Sequence, residues 1–350
     1  MTEDDDPGTE RTMREPSAGR PAAGPLPAPF DAFAARCQAA LERSRPYVSH
    51  TPCVSSPALE ARVGARVFLK LENRQQTGSF KLRGVVNKIL ALTDAERQRP
   101  LVAASSGNHA AAFAHVVALF GLKGRLFLPR TIAPVKRRWL ERTGVPLEFV
   151  GEDCVETELA ARRAAERDGA VLVPPYNDAA VICGQGTIGV ELLASLRELD
   201  AVFVPVGGGG LISGIAAYVK AVSPGTRVIG CQPARSAVMY HSVQAGRIVE
   251  EVSRPTLSDA TAGGIEPDSV TLELCRRCVD DFVLIKEEEI EAAIVTLYRH
   301  HDMVVEGGAA LSVAAAEKLR AQLAGQRVAL IVSGGRIEEN LVEQMARRRR

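Results

Sequence analysis

Thr77-Gly78-Ser79-Phe80-Lys81-Leu82-Arg83-Gly84 is the stretch on which the reading of this chain turns. A strand-like run, Val67 to Leu71, precedes it, and Val85, Val86, Ile89 and Leu90 form the apolar face of a helix that follows. The pattern puts Lys81 about one turn into that helix, behind a Thr-Gly-Ser opening. A lysine held where a sheet meets a helix start is partly desolvated, which lowers its pKa and makes its amine nucleophilic. An isolated lysine in such a place is more simply a solvated one, so the rest of the chain decides its role.

Working outward, the 350 residues allow one large domain or two that share a cleft. Hydrophobic residues at 46% and charged residues at 24% are the balance of a globular protein. A net charge of +1 argues against wholesale binding of nucleic acid, which usually shows a basic face. No apolar run approaches the roughly 20 residues that cross a bilayer, so no membrane partner is expected. The acidic, Pro-rich start is not a secretory signal. Seven scattered cysteines suit reduced thiols and a cytoplasmic location. Cys275-Arg276-Arg277-Cys278 is a lone CxxC without a second ligand pair, and reads as two helix positions.

Residues 1–29 carry six prolines and the acidic run Glu3-Asp4-Asp5-Asp6, and are expected to be a disordered tail. Order is expected from Phe30, where Phe30, Phe33, Cys37 and Leu41 share a helical face that Pro46 ends. From there β-type runs alternate with helical ones. The strand candidates are Val67–Leu71, Leu101–Ala104, Arg125–Leu128, Leu147–Val150, Ala170–Val173, Ala201–Pro205, Arg227–Cys231, Phe282–Ile285 and Arg327–Val332. Repeated β-α-β units with Val/Leu-rich strands imply an α/β fold of parallel sheets covered by helices.

Three loops between strand and helix carry chemistry. Gly207, Gly208, Gly209 and Gly210 follow the run Ala201–Pro205 and open a helix through Leu211 and Ile212. Glycines let the backbone approach a ligand closely, and free amides at a helix start bind an anion. Neither GxGxxG nor GK[ST] spacing is present, which counts against dinucleotide and nucleoside-triphosphate sites. Ser105-Ser106-Gly107-Asn108-His109 is a second helix start suited to an anion, and Ser333-Gly334-Gly335 ends the last strand run.

Together with Leu69-Lys70-Leu71-Glu72-Asn73, these segments resemble, in order, those of the threonine/serine dehydratase and serine racemase family. These are pyridoxal-phosphate enzymes of the tryptophan-synthase-β fold type, and the resemblance covers about residues 45 to 345. It implies a two-domain fold type II: a small domain, 98–178, inserted into a large cofactor-binding domain, 30–97 and 179–350. It implies pyridoxal 5'-phosphate as cofactor, carried by Lys81 beside Phe80, with its phosphate on Gly207, Gly208, Gly209, Gly210 and Leu211. Ser333 would meet the ring nitrogen, while Glu306 would lie near the ring and Asn108 beside its phenolic oxygen. Ser105, Ser106, Gly107, Asn108 and His109 would hold the substrate carboxylate, with no proton transfer assigned to His109. Pro174 to Asp178 and Gly184-Gln185-Gly186-Thr187 would shape the floor of the cleft.

The chain departs from the family pattern at Arg336, where Asn is usual, and at Ala111, where Gln is usual. Gln232 and Val238 stand where some relatives bind a divalent cation, and hard cations need oxygen ligands, preferably charged; no metal is expected there. The implied activity is an ammonia-lyase converting L-threonine or L-serine to a 2-oxo acid and ammonia, in a homodimer. Alternatives are an amino-acid racemase, in which Ser106 is the second acid/base, and a dehydratase of a specialised compound such as phenylserine or a hydroxyectoine breakdown product. From another class, the chain would be a cofactor-binding protein without turnover. Which hydroxy amino acid is bound stays open, because the side-chain pocket is assembled from loops.

Overall fold

A computed structural model describes residues 32–349 apart from residue 153; the expected tail and Phe30 lie outside the described residues. The strands are β1 (Cys53–Ser55), β2 (Arg66–Leu71), β3 (Leu101–Ala104), β4 (Gly124–Leu128), β5 (Leu147–Phe149), β6 (Val171–Leu172), β7 (Ala201–Pro205), β8 (Arg227–Pro233), β9 (Asp281–Ile285) and β10 (Arg327–Val332). They form two sheets, one ordered β1-β2-β10-β7-β8-β9 and the other β5-β4-β3-β6. Every pairing is parallel except β1 with β2.

Period-2 patterning explains why helices cover both faces. In β10, Val328, Leu330 and Val332 join one apolar core while Ala329 and Ile331 join the opposite one. β3 divides likewise, Leu101 and Ala103 to one side, Val102 and Ala104 to the other. Strands buried on both faces read as continuous apolar runs, and that is why they were visible in the sequence. β1 was not, because it is a three-residue edge strand whose Val54 is exposed.

The chain leaves the six-stranded sheet through the helix Lys81–Leu90 and returns to it through Ala179–Ser195. These two helices touch backbone to backbone. A Cβ at Gly184 would fall 2.6 Å from the Arg83 carbonyl oxygen and 2.7 Å from the Gly84 Cα. Gly184-Gln185-Gly186-Thr187 therefore forms a helix–helix contact surface and does not line the cleft, contrary to the expectation from sequence.

Candidate active site

Lys81 is the first residue of its helix, not one turn inside it. The turn before it is pinned by the end of β10. Gly335 donates to the Gly78 carbonyl (3.0 Å), Phe80 donates to the Ser333 carbonyl (3.1 Å), and Ser79 bridges Gly334. Gly78 sits at φ +76°, a conformation that glycine adopts without strain. The Lys81 ammonium donates to the Pro175 carbonyl at 2.8 Å and stands 5.2 Å from the centre of the Phe80 ring. Burial lowers its pKa from 10.5 to about 8, against the opposing pull of Glu158 and Glu306.

Behind Lys81 lies a buried ionic cluster that the sequence motifs do not reveal. Arg83 donates to both oxygens of Glu72 (2.7 and 2.9 Å), to both of Glu191 (2.7 and 2.8 Å) and to the Thr187 hydroxyl (3.1 Å). Lys70 reaches Glu191 at 2.5 Å and the Thr51 carbonyl at 2.7 Å. Two cations and two carboxylates are thus matched out of water, which a buried ion pair needs to avoid a large desolvation cost. The available signal was Lys70 inside an otherwise apolar strand, followed by Glu72.

The four glycines join β7 to the helix Gly210–Val222, with Gly209 at φ +87° as its N-cap. Tyr176 backs this loop. A Cβ at Gly208 would lie 2.5 Å from the Tyr176 ring, and one at Gly210 would lie 2.8 Å from its Cβ. The first-turn amides of the helix have no intrahelical acceptor and carry the positive end of its dipole.

Opposite, Asn108 opens the helix Asn108–Leu119, and its Nδ2 donates to both oxygens of Glu306 (2.8 and 3.0 Å). Glu306 is buried at the start of the helix Gly307–Lys318, and burial pushes its carboxyl up to about 7. Gly334 leaves room for that carboxylate. His109 faces the Val173 carbonyl at 2.8 Å, so Nε2 carries the proton, and burial lowers its pKa to about 3. The ring is neutral and offers a substrate carboxylate no charge. Ser105 accepts from the Gly107 amide at 3.1 Å, shaping the loop. Arg336, one of the two departures from the family pattern, stacks its guanidinium 3.8 Å from the centre of Trp139.

All these groups border one cavity of about 670 Å³: Phe80, Lys81, Ser105, Ser106, Gly107, Asn108, His109, the four glycines with Leu211, Glu306 and Ser333. Its walls come from the strand ends and loops of both sheets, a usual place for a ligand in such folds.

The family model described as "Pyridoxal-phosphate dependent enzyme" matches residues 45–334. The chain belongs to this family. It is 40% identical over 298 residues to the L-threonine ammonia-lyase of Thermotoga maritima, covering 85% of this chain and 74% of that protein. The catabolic L-threonine dehydratase of Escherichia coli is 37% identical over 286 residues, 81% of this chain and 87% of that one. The structure of maize serine racemase superposes with a TM-score of 0.82 at 32% identity, covering 90% of this chain and 97% of the other.

The residues present fit the cofactor of a pyridoxal-phosphate enzyme. Asn108 Oδ1, Ser79 Oγ and Thr77 Oγ1 are buried without hydrogen-bond partners among the described residues, all close in sequence or space to Lys81 or Glu306. The glycine loop is a cradle in which Cβ atoms would strike Tyr176. Where some relatives bind a cation, Gln232 instead accepts from the Tyr240 amide at 2.8 Å. Two cavity residues, Glu158 and Lys136, carry no signal in the sequence alone. They belong to helices that differ from surface helices only once folded against the cleft. Among the described residues, no helix is long and apolar enough to cross a membrane.

Proposed function

We propose that the protein is an ammonia-lyase that converts L-threonine or L-serine to the 2-oxo acid and ammonia, with Lys81 as cofactor-bearing residue and base. The observation that carries this reading is the Lys81 amine, desolvated to a pKa of about 8 in a cleft that also holds the tetraglycine helix start and Ser333. The names of the Thermotoga and Escherichia relatives support the choice of reaction.

The cofactor, when bound, supplies an electron sink for negative charge at the substrate Cα. The amides of Gly207, Gly208, Gly209, Gly210 and Leu211 hold its phosphate at the helix start. The Ser333 hydroxyl gives the ring nitrogen a neutral hydrogen bond, which leaves the ring a weaker sink than an acidic partner would. The Asn108 amide serves the phenolic oxygen. With its carboxyl pushed up to about 7, Glu306 is available in its protonated form near neutrality, and in that form it can donate to Oδ1 of a turned amide and free the NH2 for that role. The loop Ser105–Gly107 holds the substrate carboxylate through its backbone amides and hydroxyls. Lys81, once its amine is free, takes the Cα proton; a base with pKa near 8 is matched to neutral conditions.

The reading includes a small domain at 98–178 bearing β3 to β6, a homodimer and a cytoplasmic location. The seven free thiols agree with the last of these. The test is 2-oxo acid formation from L-serine, L-threonine, 3-hydroxyaspartate and phenylserine, with borohydride fixation of the cofactor mapped by mass spectrometry. Fixation anywhere but Lys81, or release of no 2-oxo acid, sinks the reading. A racemase is the second reading, favoured by Ser106 on the cavity wall and by the maize relative.

A further inference from the structure

Glu158 lies on the cleft side of the helix Cys154–Asp168, part-exposed, and lines the cavity. Its Oε2 accepts from the Tyr176 hydroxyl at 3.0 Å. That hydroxyl itself accepts from the Glu266 amide at 3.0 Å, so its single proton is committed to Glu158 and fixes the carboxylate's orientation. Tyr176 is in turn immobilised, its ring lying against Gly208 and its Cα and Cβ against Gly210. A carboxylate is thus mounted rigidly on the floor of the cleft, next to the loop proposed to hold the phosphate.

The cations bordering this region are engaged elsewhere. Arg162 makes two 2.8 Å bonds to Glu266, which also accepts from Asn177 at 2.6 Å. Lys136 pairs with Asp259 at 2.6 Å, Arg336 covers Trp139, and Lys81 donates to Pro175. No salt bridge reaches Glu158 among the described residues, although the charges of Lys81 and Arg162 act on it. We propose that Glu158, held by Tyr176, selects the substrate side chain: it accepts a hydroxyl or, more strongly, an ammonium group, and repels a carboxylate. Enclosure and the neighbouring Glu266 push Glu158 up to about 8, so without a ligand the carboxylate form prevails only above that pH, and a cationic side chain bound beside it favours that form. This selectivity rests on the reading of the cleft as an amino-acid site and names its substrate class as α-amino acids with donor-bearing side chains.

Three amino acids with four-carbon backbones and no β-leaving group separate charge from reaction: L-2,4-diaminobutyrate, L-2-aminobutyrate and L-aspartate. Titration calorimetry on the holoenzyme at about pH 9, where Glu158 is mostly ionised, should rank them in that order, with at least tenfold between the first and the last. Glu158→Gln, which keeps shape and loses charge, should shrink that ratio at least fivefold, whereas Tyr176→Phe keeps the carboxylate and the order. Aspartate binding level with or ahead of diaminobutyrate, no binding of any of the three, or an unchanged ratio in Glu158→Gln overturns the proposal. A holoenzyme that shows the ranking yet releases no ammonia from any hydroxy amino acid would overturn the proposed reaction instead, and leave the selectivity standing.

Discussion

Lys81 shows how one residue acquires a reactive state from its surroundings. Its ammonium is half-buried at the start of a helix, where the dipole disfavours positive charge, and a single carbonyl receives it. In the cofactor-free protein this has a measurable consequence. The folded pKa of about 8 lies below the ordinary 10.5, so between those values the unfolded chain binds more protons and stability rises with pH. The change in urea midpoint from pH 8 to pH 10 should therefore be more favourable in the wild type than in Lys81→Met. In the holoenzyme, Lys81→Ala should abolish turnover and borohydride-fixed cofactor together, at least a thousandfold in kcat if Lys81 is both anchor and base. Ser333→Asp tests the ring-nitrogen partner from the other side. A charged acceptor strengthens the electron sink, so exchange of the Cα proton with solvent deuterium should increase relative to ammonia release, and an unchanged ratio would remove Ser333 from that role.

At the scale of elements, the lysine helix is positioned by two things that lie outside the cleft. One is the ionic cluster of Lys70, Glu72, Arg83 and Glu191, all buried. Truncating one partner leaves an uncompensated buried charge, so Arg83→Met should cost about 3–5 kcal/mol, read as a shift in the urea transition. The other is the glycine contact between Lys81–Leu90 and Ala179–Ser195. Gly184→Ala drives a methyl into the Arg83 carbonyl and should cost roughly 1–3 kcal/mol by overpacking, with a loss of cofactor affinity as the lysine helix is displaced. These contacts mark the limit of what the sequence made legible. β7 and β10 were readable because both faces of each are apolar, and the glycine loop because four consecutive glycines have few other uses. The cluster was not, since charged residues in a sequence do not announce their partners, and Glu191 lies 108 positions from Arg83. Glu158 was hidden for the same reason: on a helix rich in Arg and Glu, only the fold decides which carboxylate faces the cavity.

The molecule as a whole is two sheets whose loops meet over one cavity, and that arrangement bears on which reaction dominates. Lys81 arrives from the end of the six-stranded sheet, and Ser106 from the loop after β3 in the four-stranded one. Racemisation requires a proton to leave on one face of the substrate and return on the other, so a second acid/base must stand across from the lysine. Ser106 borders the cavity from the other sheet, but a serine hydroxyl is a poor base unless a neighbour activates it. His109 is a weak candidate for that neighbour, because its Nε2 proton goes to Val173 and burial lowers its pKa to about 3, which leaves the remaining nitrogen a poor base. Elimination needs only the lysine's face, and the weaker sink implied by Ser333 favours rapid loss of the β-hydroxyl over a long-lived carbanion. Ammonia release from L-serine should therefore outrun formation of D-serine by at least tenfold, measured by 2-oxo acid assay and chiral chromatography on the same reaction. Ser106→Ala should remove the residual D-serine while retaining at least a tenth of the ammonia-lyase kcat. Enantiomer interconversion faster than ammonia release in the wild type would reverse the assignment and make Ser106 half of a two-base pair.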